Sequence, residues 1–173
     1  GIVRMLATAY IELIRGTPLL IQLFLIFYGL PHIGIRFSPM LAAILGLALN
    51  YSAYEAENYR AGILAVPRNQ MEAALSLGLT ASQAFRTVIL PQAVRVSLPT
   101  VTNDFIALFK DTSVCSVIAV TELTKQYNIL ANSTGAVVEL AAMTGLLYLL
   151  MSYPLSVVAQ RMERRMAGSG SPR

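Results

Sequence analysis

The sequence is poor in the residues from which catalytic and metal sites are most often built. It contains one cysteine and one histidine among 173 residues, and only 13% of its residues are charged. A lone cysteine excludes an internal disulfide, and a lone histidine leaves no credible Ser-His-Asp set or Cys/His metal cluster. The sequence also lacks a G-x-x-x-x-G-K-[ST] loop for ATP and a basic patch with interleaved aromatic residues for nucleic acid. We therefore expect no enzyme, no cofactor or metal, and no nucleic-acid partner.

Apolar residues take the place of the missing charge. They make up 55% of the sequence, and the mean hydropathy is +0.61. A soluble domain usually carries about 25% charged residues. The composition therefore predicts an integral membrane protein in contact with lipid rather than a soluble domain.

Four apolar segments predict an all-α, polytopic bundle of transmembrane helices. They cover residues of about 17–30, 40–59, 98–120 and 137–159. The first is shorter than the roughly 20 residues that span a bilayer, so we expect it to tilt or to include residues before Pro18. Thr17 could cap this helix with Pro18 at its first position. We assign residues 1–160 to one domain, with a connecting loop at 121–135 and a basic tail at 161–173.

Basic residues are distributed unevenly around these spans. If the polar segment 66–97 lies in the cytoplasm, ten arginines share its side, whereas only Arg36 and Lys125 lie outside and Lys110 lies within a span. The positive-inside rule favours this arrangement, with the C-terminus also in the cytoplasm. The ten are Arg4, Arg15, Arg60, Arg68, Arg86, Arg95, Arg161, Arg164, Arg165 and Arg173.

The polar segment 66–97 predicts two short helices joined at Gly78. This glycine is placed to end the first helix in a left-handed turn. Thr80 and Gln83 form a capping box that begins the second helix, which should end near Leu90 because Pro91 follows. From these residues alone, the hairpin is either an ordinary interfacial connection or a docking element for another protein.

The hairpin sequence resembles the EAA loop of permease subunits from ABC importers. The resemblance is carried by "QMEAALSLG" followed by "ILP", with matches at Glu72, Ala73, Ala74, Gly78, Ile89, Leu90 and Pro91. Three further segments, "YIELIRGTPLLIQLFLIFYGLP", "LNYSAYEAENYRAGI" and "NDFIALFKDTS", are similar to permeases for polar amino acids of the histidine, glutamine and arginine type. Together these segments cover about residues 4–160 in the order and spacing of that family.

The resemblance implies a type I importer fold and a set of partners. It implies that the hairpin docks on a cytoplasmic ATPase subunit, where ATP is hydrolysed, through Glu72, Ala73, Ala74, Gly78, Leu79, Ser82, Phe85 and Pro91. It further implies a second permease subunit, identical or related, and a periplasmic or lipid-anchored binding protein that delivers an amino acid at the bacterial inner membrane. The family usually has about five spans, so we expect that the first span is missing here. Asn69 stands where the family commonly has glycine, and Glu55 is more acidic than expected.

The predicted third span carries a polar stripe. Asn103, Asp104, Lys110 and Asp111 lie in it at helical spacing, and each ionisable group would cost at least about 2.5–3.5 kcal/mol if it faced acyl chains. Asp104 could bind the ammonium group of an amino acid and Lys110 its carboxylate, with Asn50 adding amide hydrogen bonds. Alternatively, these polar groups simply hold helices together.

Two other functions stay open at this point. A secondary transporter could use Asp104, Glu55 and Lys110 to carry protons or ions, but it would leave the EAA-like hairpin unexplained. A membrane scaffold or sensor subunit would need no transport path. The residues identify neither the amino acid nor whether the two permease subunits are identical.

Overall fold

The computed structural model describes residues 1–167, and every regular element in that range is a helix. In chain order the elements are α1 (Ile2–Arg15), α2 (Leu19–Phe24), a π-helical segment (Leu25–Gly29), a 3₁₀ segment (Leu30–Ile33), α3 (Pro39–Ala65), α4 (Arg68–Ser76), α5 (Ala81–Ala84), a π turn (Phe85–Ile89), α6 (Leu90–Asp111), a second 3₁₀ segment (Thr112–Ile118), α7 (Leu123–Thr134) and α8 (Val137–Ala167). The all-α class expected from the sequence is therefore observed.

Helices α3 and α6 form the central pair of the fold. Helix α3 also packs against α1 and α2, while α6 also packs against α8. The two helices approach each other closely at Gly62, where an added Cβ would lie 2.6 Å from Ser97 Oγ and 2.9 Å from the Ala93 carbonyl oxygen. Glycine at this position is therefore what allows the two backbones to approach so closely.

The chain bends sharply between α1 and α2. The axes of α1 and the helical stretch Leu19–Ile33 differ by 102°. Thr17 does not cap α2 as predicted, because its hydroxyl donates to the Leu13 carbonyl of α1 at 2.9 Å. Pro18 is extended and precedes the helix rather than occupying its first position. The predicted first span is thus one arm of a bent pair.

The hairpin, defined here as residues 68–89, has the two local features predicted from its sequence. Gly78 adopts a φ of +85° in the left-handed region, directly after α4. At the start of α5, the Gln83 N–H donates to Thr80 Oγ1 at 3.3 Å, and Thr80 N–H donates to Gln83 Oε1 at 2.9 Å. The glycine turn and the capping box are both confirmed.

The prediction that the second hairpin helix ends near Leu90 is wrong. Helix α5 continues through the π turn into α6, and the Leu90 N–H donates to the Phe85 carbonyl five residues earlier. Pro91 then lies in the first turn of α6, directly after the π turn. Proline has no backbone N–H, and the wider π turn before it tolerates the hydrogen bond that is therefore missing. Helix α6, which contains the start of the predicted third span, therefore begins at Leu90 rather than at residue 98. Residues 90–97, which were assigned to the polar segment 66–97, belong to this helix.

The prediction of a loop at 121–135 is also wrong, because most of this segment forms α7. Glu122 caps this helix by accepting from the N–H groups of Thr124 at 2.8 Å and Lys125 at 2.6 Å. Gly135 ends the helix with a φ of +74°. A carboxylate at the N-cap and a glycine after the last turn are typical helix boundaries, so the signal was present in the sequence.

Helix α8 runs through Pro154 to Ala167 and includes the start of the predicted tail 161–173. The rest of that tail, residues 168–173, lies outside the described residues. Among the described residues, Val137–Met162 is long and apolar enough to cross a membrane by itself, and α1 with Leu19–Ile33 qualifies as a bent pair. Helices α3 and α6 are long but not apolar enough to be identified as spans by composition, so their predicted spans stay predictions.

The surface of the molecule is apolar over large areas. Leu23 and Ile118 are fully buried in a small cluster between α2, α3 and the second 3₁₀ segment. By contrast, Val138 and Leu149 of α8 are 76% and 59% exposed. Exposed apolar surface of this extent is typical of a face that contacts lipid or protein rather than water.

Candidate functional site

A cavity lined in part by charged and polar side chains lies where the break between α1 and α2 faces α3 and α6. Its volume is about 530 Å³, within the range of pockets that hold small molecules. The break contributes Arg15 to Leu19, α3 contributes Asn50, Tyr51 and Tyr54, and α6 contributes Asp104, Ala107 and Asp111. Three elements that are distant in the sequence therefore line the same cavity.

The break is held by hydrogen bonds that satisfy the last carbonyls of α1. Helix ends leave such carbonyls without a helical partner. The Ile14 carbonyl accepts from Gln22 Nε2 at 2.7 Å, and Gln22 Oε1 in turn accepts from Asn50 Nδ2 at 3.1 Å. The backbone of this break is irregular, and it lines the cavity.

Two carboxylates of α6 line the cavity and are held by α3. Asn58 Nδ2 donates to Asp104 Oδ2 at 2.6 Å, and the Tyr51 hydroxyl donates to Asp111 Oδ2 at 2.8 Å. Among the side chains that the structure describes, neither carboxylate forms an ion pair, whereas Glu57 pairs with Arg60. Both carboxylates are therefore placed to receive a cation that enters the cavity.

Arg15 supplies the positive charge of the cavity. Its guanidinium carbon lies 5.4 Å from the ring centroid of Tyr54, which is a cation–π arrangement. Arg15 occupies the last turn of α1, directly before the break. A guanidinium at this position can bind a carboxylate through two parallel N–H donors.

The structure brings together only part of the predicted substrate path. Asn50, Asp104 and Asp111 line the cavity, whereas Asn103 and Lys110 are exposed and do not. Residues 104, 107 and 111 follow one face of α6, and Asn103 and Lys110 each precede a lining aspartate by one position, which is a rotation of about 100°. The cation at the cavity is thus Arg15, which sequence analysis treated only as a marker of orientation.

Two further side chains near the cavity, Gln22 and Glu55, were not among the predicted substrate-path residues. Gln22 is 8% exposed and was not selected, although a glutamine in an otherwise apolar helix start is an available signal. Glu55 Oε2 is buried and has no hydrogen-bond partner among the described residues. No group of His, Cys, Asp and Glu side chains suited to a metal ion occurs in the part of the chain that the structure describes.

The hairpin presents a small exposed surface around Gly78. The predicted coupling residues Glu72, Ala73, Gly78 and Ser82 are exposed, and Pro91 is exposed at the start of α6. Ala74 and Ala84 are instead buried, and Leu79 and Phe85 are half-buried. Leu77, which sequence analysis did not select, is 84% exposed beside the turn.

The base of the hairpin is packed against both central helices. Val66 at the end of α3, Ile89 of the π turn and Ala93 of α6 form a buried cluster. Met71 and Phe85 of the hairpin pack against this cluster. The hairpin is therefore attached to the two helices that carry most of the cavity wall.

Comparisons with known proteins place these features in context. Residues 1–168 match the model of the family described as binding-protein-dependent transport system inner membrane component. The chain is 40% identical to the probable glutamine ABC transporter permease protein GlnM of Bacillus subtilis (strain 168), over 95% of this chain and 76% of that protein. It is 38% identical to the glutamine transport system permease protein GlnP of Escherichia coli (strain K12), over 92% of this chain and 74% of that protein.

Two solved structures share the fold. A crystal structure of an amino acid ABC transporter with histidines superposes with a TM-score of 0.90 at 42% identity, covering 94% of this chain and 76% of that chain. The MetNI methionine ABC transporter in inward-facing conformations superposes with a TM-score of 0.75 at 21% identity, covering 92% of this chain and 73% of that chain. The second likeness concerns the fold alone.

Proposed function

The chain belongs to the family of binding-protein-dependent transport system inner membrane components, and we propose that it carries a polar amino acid across the membrane. Its membership confirms the resemblance seen in the sequence, the type I importer permease fold and the role of a transmembrane permease subunit. The similar proteins are ABC transporter permeases, so an ion-coupled secondary transporter is not favoured. They are transport components rather than enzymes.

The arrangement of charge around the cavity is the observation that carries the amino-acid proposal. A free amino acid presents one ammonium and one carboxylate. Arg15 offers a fork of donors for the carboxylate, while Asp104 and Asp111 offer acceptors for the ammonium. The volume of about 530 Å³ accommodates such a molecule. In this proposal the substrate lies between the helix break and α6, and Asn103 and Lys110 have no contact with it.

We assign the coupling role to the exposed surface of the hairpin. Glu72, Ala73, Gly78 and Ser82 form the contact with a cytoplasmic ATPase subunit, joined by Leu77 at the turn. Ala74, Leu79, Phe85 and Pro91 act in this role indirectly, by fixing the shape of the hairpin and its connection to α6. ATP is hydrolysed in the ATPase subunit and not in this chain.

The remaining partners follow from the same proposal. A second permease subunit, identical or related, completes the transport path, and a periplasmic or lipid-anchored binding protein delivers the amino acid. The distribution of arginines supports an orientation in which the hairpin and the C-terminus are cytoplasmic, within the bacterial inner membrane.

The packing of the hairpin suggests how ATP use reaches the cavity. Because Val66, Ile89 and Ala93 tie the hairpin to α3 and α6, a displacement of the hairpin by the ATPase moves both helices. These helices carry Asn50 and Asp104, whereas Arg15 belongs to α1. Movement of α3 and α6 relative to α1 would separate the groups that bind the two ends of the amino acid, and so release it.

ATP-dependent uptake by proteoliposomes tests this function. The reconstituted vesicles contain the full-length permease, its ATPase and its binding protein, and uptake of labelled L-glutamine, L-histidine and L-cystine is measured. We expect Arg15→Gln and Asp104→Asn each to raise the KM roughly tenfold or more, because each removes a hydrogen bond to a charged group. Lys110→Gln is the matched control, since it removes a charge from the same helix as Asp104 but outside the cavity.

Three results would contradict the proposal. Uptake that is driven by an ion gradient without ATP would indicate a secondary transporter instead. A KM that changes in Lys110→Gln but not in Arg15→Gln would assign the carboxylate to Lys110. An unchanged KM in both Arg15→Gln and Asp104→Asn would exclude the cavity as the amino-acid site.

A further inference from the structure

Gln22 is a buried polar residue that the proposed transport cycle does not use. It is 8% exposed, and it lies behind the cavity rather than on its wall. It faces the inside of the bend between α1 and α2, beside the apolar residues Leu13, Leu25 and Leu49. A buried amide in such surroundings is costly unless its hydrogen bonds are made, so its partners indicate its role.

The hydrogen bonds of Gln22 fix the orientation of its amide group. One end of the amide lies 2.7 Å from the Ile14 carbonyl oxygen and 3.1 Å from the Thr17 carbonyl oxygen. Carbonyl oxygens only accept hydrogen bonds, so this end must be the nitrogen. Thr17 Oγ1, at 2.8 Å, can accept as well because its own hydrogen is directed to the Leu13 carbonyl.

The orientation of Gln22 in turn fixes that of Asn50. With Nε2 directed at the helix break, Oε1 faces Asn50 and can only accept. Asn50 therefore presents Nδ2 to it, at 3.1 Å. The remaining atom of the Asn50 amide, Oδ1, has no hydrogen-bond partner among the described residues, and Asn50 lines the cavity. The carbonyls of Ile14 and Thr17 thus orient the Gln22 amide, which in turn orients the Asn50 amide. The result is an available acceptor, Asn50 Oδ1, on a residue that lines the cavity.

We propose that Gln22 is a positioning residue for substrate recognition: it holds the Asn50 amide so that Oδ1 accepts a hydrogen bond from the ammonium group of the amino acid. This inference rests on the proposed function, because it assumes that the amino acid binds in the cavity. Gln22 itself does not touch the substrate. Its contribution is to exclude the flipped Asn50 amide, which would direct an N–H donor at an ammonium group.

Equilibrium binding to the permease–ATPase complex in lipid nanodiscs tests the proposal. Two labelled probes are compared, L-glutamine and its desamino analogue, which has a hydrogen in place of the ammonium group. In Gln22→Met we expect the preference for L-glutamine over the analogue to fall roughly tenfold, with the affinity for the analogue little changed. A residue that merely held the helices together would weaken both probes equally.

Two further variants keep the test decisive. Gln22→Glu keeps an acceptor oxygen facing Asn50, so it should retain the preference for L-glutamine that Gln22→Met loses. Gln92→Met is the matched control: this half-buried glutamine also donates to a backbone carbonyl, that of Val88 at 2.8 Å, but does not line the cavity. Its preference for L-glutamine should equal that of the wild type.

The outcomes separate this inference from the function on which it rests. Three results would overturn the role of Gln22 and leave the amino-acid site in place, provided that Asp104→Asn still loses L-glutamine. They are equal weakening of both probes in Gln22→Met, an unchanged preference in Gln22→Met, and a loss of preference in Gln22→Glu. If Asp104→Asn also binds L-glutamine like the wild type, the cavity is not the site and the inference falls with it.

Discussion

The hairpin and the cavity are stabilised over very different distances in the sequence. The hairpin depends on the Gly78 turn and on a capping box between residues three positions apart. The polar contacts around the cavity join residues 28, 46 and 60 positions apart. One contiguous segment can therefore set the coupling surface, whereas recognition depends on how three helices pack. Substitutions that act only in the hairpin should alter coupling without altering binding.

The largest effect is expected where α3 and α6 pack together, because both the hairpin and the cavity depend on this packing. Gly62→Val would place a Cβ within 3 Å of Ser97 Oγ and of the Ala93 backbone, so the helices must separate. We expect a loss of about 1–3 kcal/mol or more in stability and failure of both binding and coupling. Thermal unfolding and yield of the permease–ATPase complex measure this. Gly145→Val on α8 is the control, because an added Cβ there meets nothing within 4 Å.

A substitution at Gly78 should separate the two regions. Gly78→Val forces a β-branched residue into a φ of +85°, although an added Cβ would meet no neighbour. We expect substrate-stimulated ATPase activity to fall roughly tenfold, while amino-acid binding to the permease is retained. Gly78→Asn is the control, since asparagine tolerates the left-handed region. Equal stimulation in Gly78→Val and the wild type would remove the hairpin from coupling.

The smallest effect should come from the capping box. Thr80→Ala removes one side-chain cap at the start of α5, which is worth about 1 kcal/mol. We expect the affinity for the ATPase subunit to fall about fivefold, with binding of the amino acid unchanged. Titration of labelled ATPase onto nanodisc-embedded permease measures the change. Thr134→Ala in α7 also removes a threonine hydroxyl bound to a carbonyl and should leave this affinity unaltered.

The same contrast explains which features could be predicted from the sequence. Gly78 and the Thr80–Gln83 pair were predicted correctly because glycine turns and capping boxes are properties of short segments. The membership of the transport family was also predicted, from motifs along the whole chain. Helix α7 was missed although its boundaries, Glu122 and Gly135, are of the usual kind, because the segment between them is polar.

The errors at the cavity have a different physical origin. Lys110 was chosen as the cation because it shares a helix with Asp104, but only the packing of α1 against α3 shows that Arg15 faces the cavity. Gln22 was missed because its partners, Ile14 and Asn50, meet it only after the chain has bent by 102°. A pattern along one helix reports neither the bend nor the neighbours that it creates.

The π turn before Pro91 has a consequence for helical phase. A π turn holds one more residue than an α-helical turn, so it acts like a one-residue insertion that rotates everything after it by about 100° around the axis of α6. The azimuth of Asp104 and Asp111 relative to the hairpin is therefore set at Phe85–Ile89, several helical turns away from both carboxylates. A single deletion in that stretch would leave each of these residues in the protein and turn them toward a different neighbour.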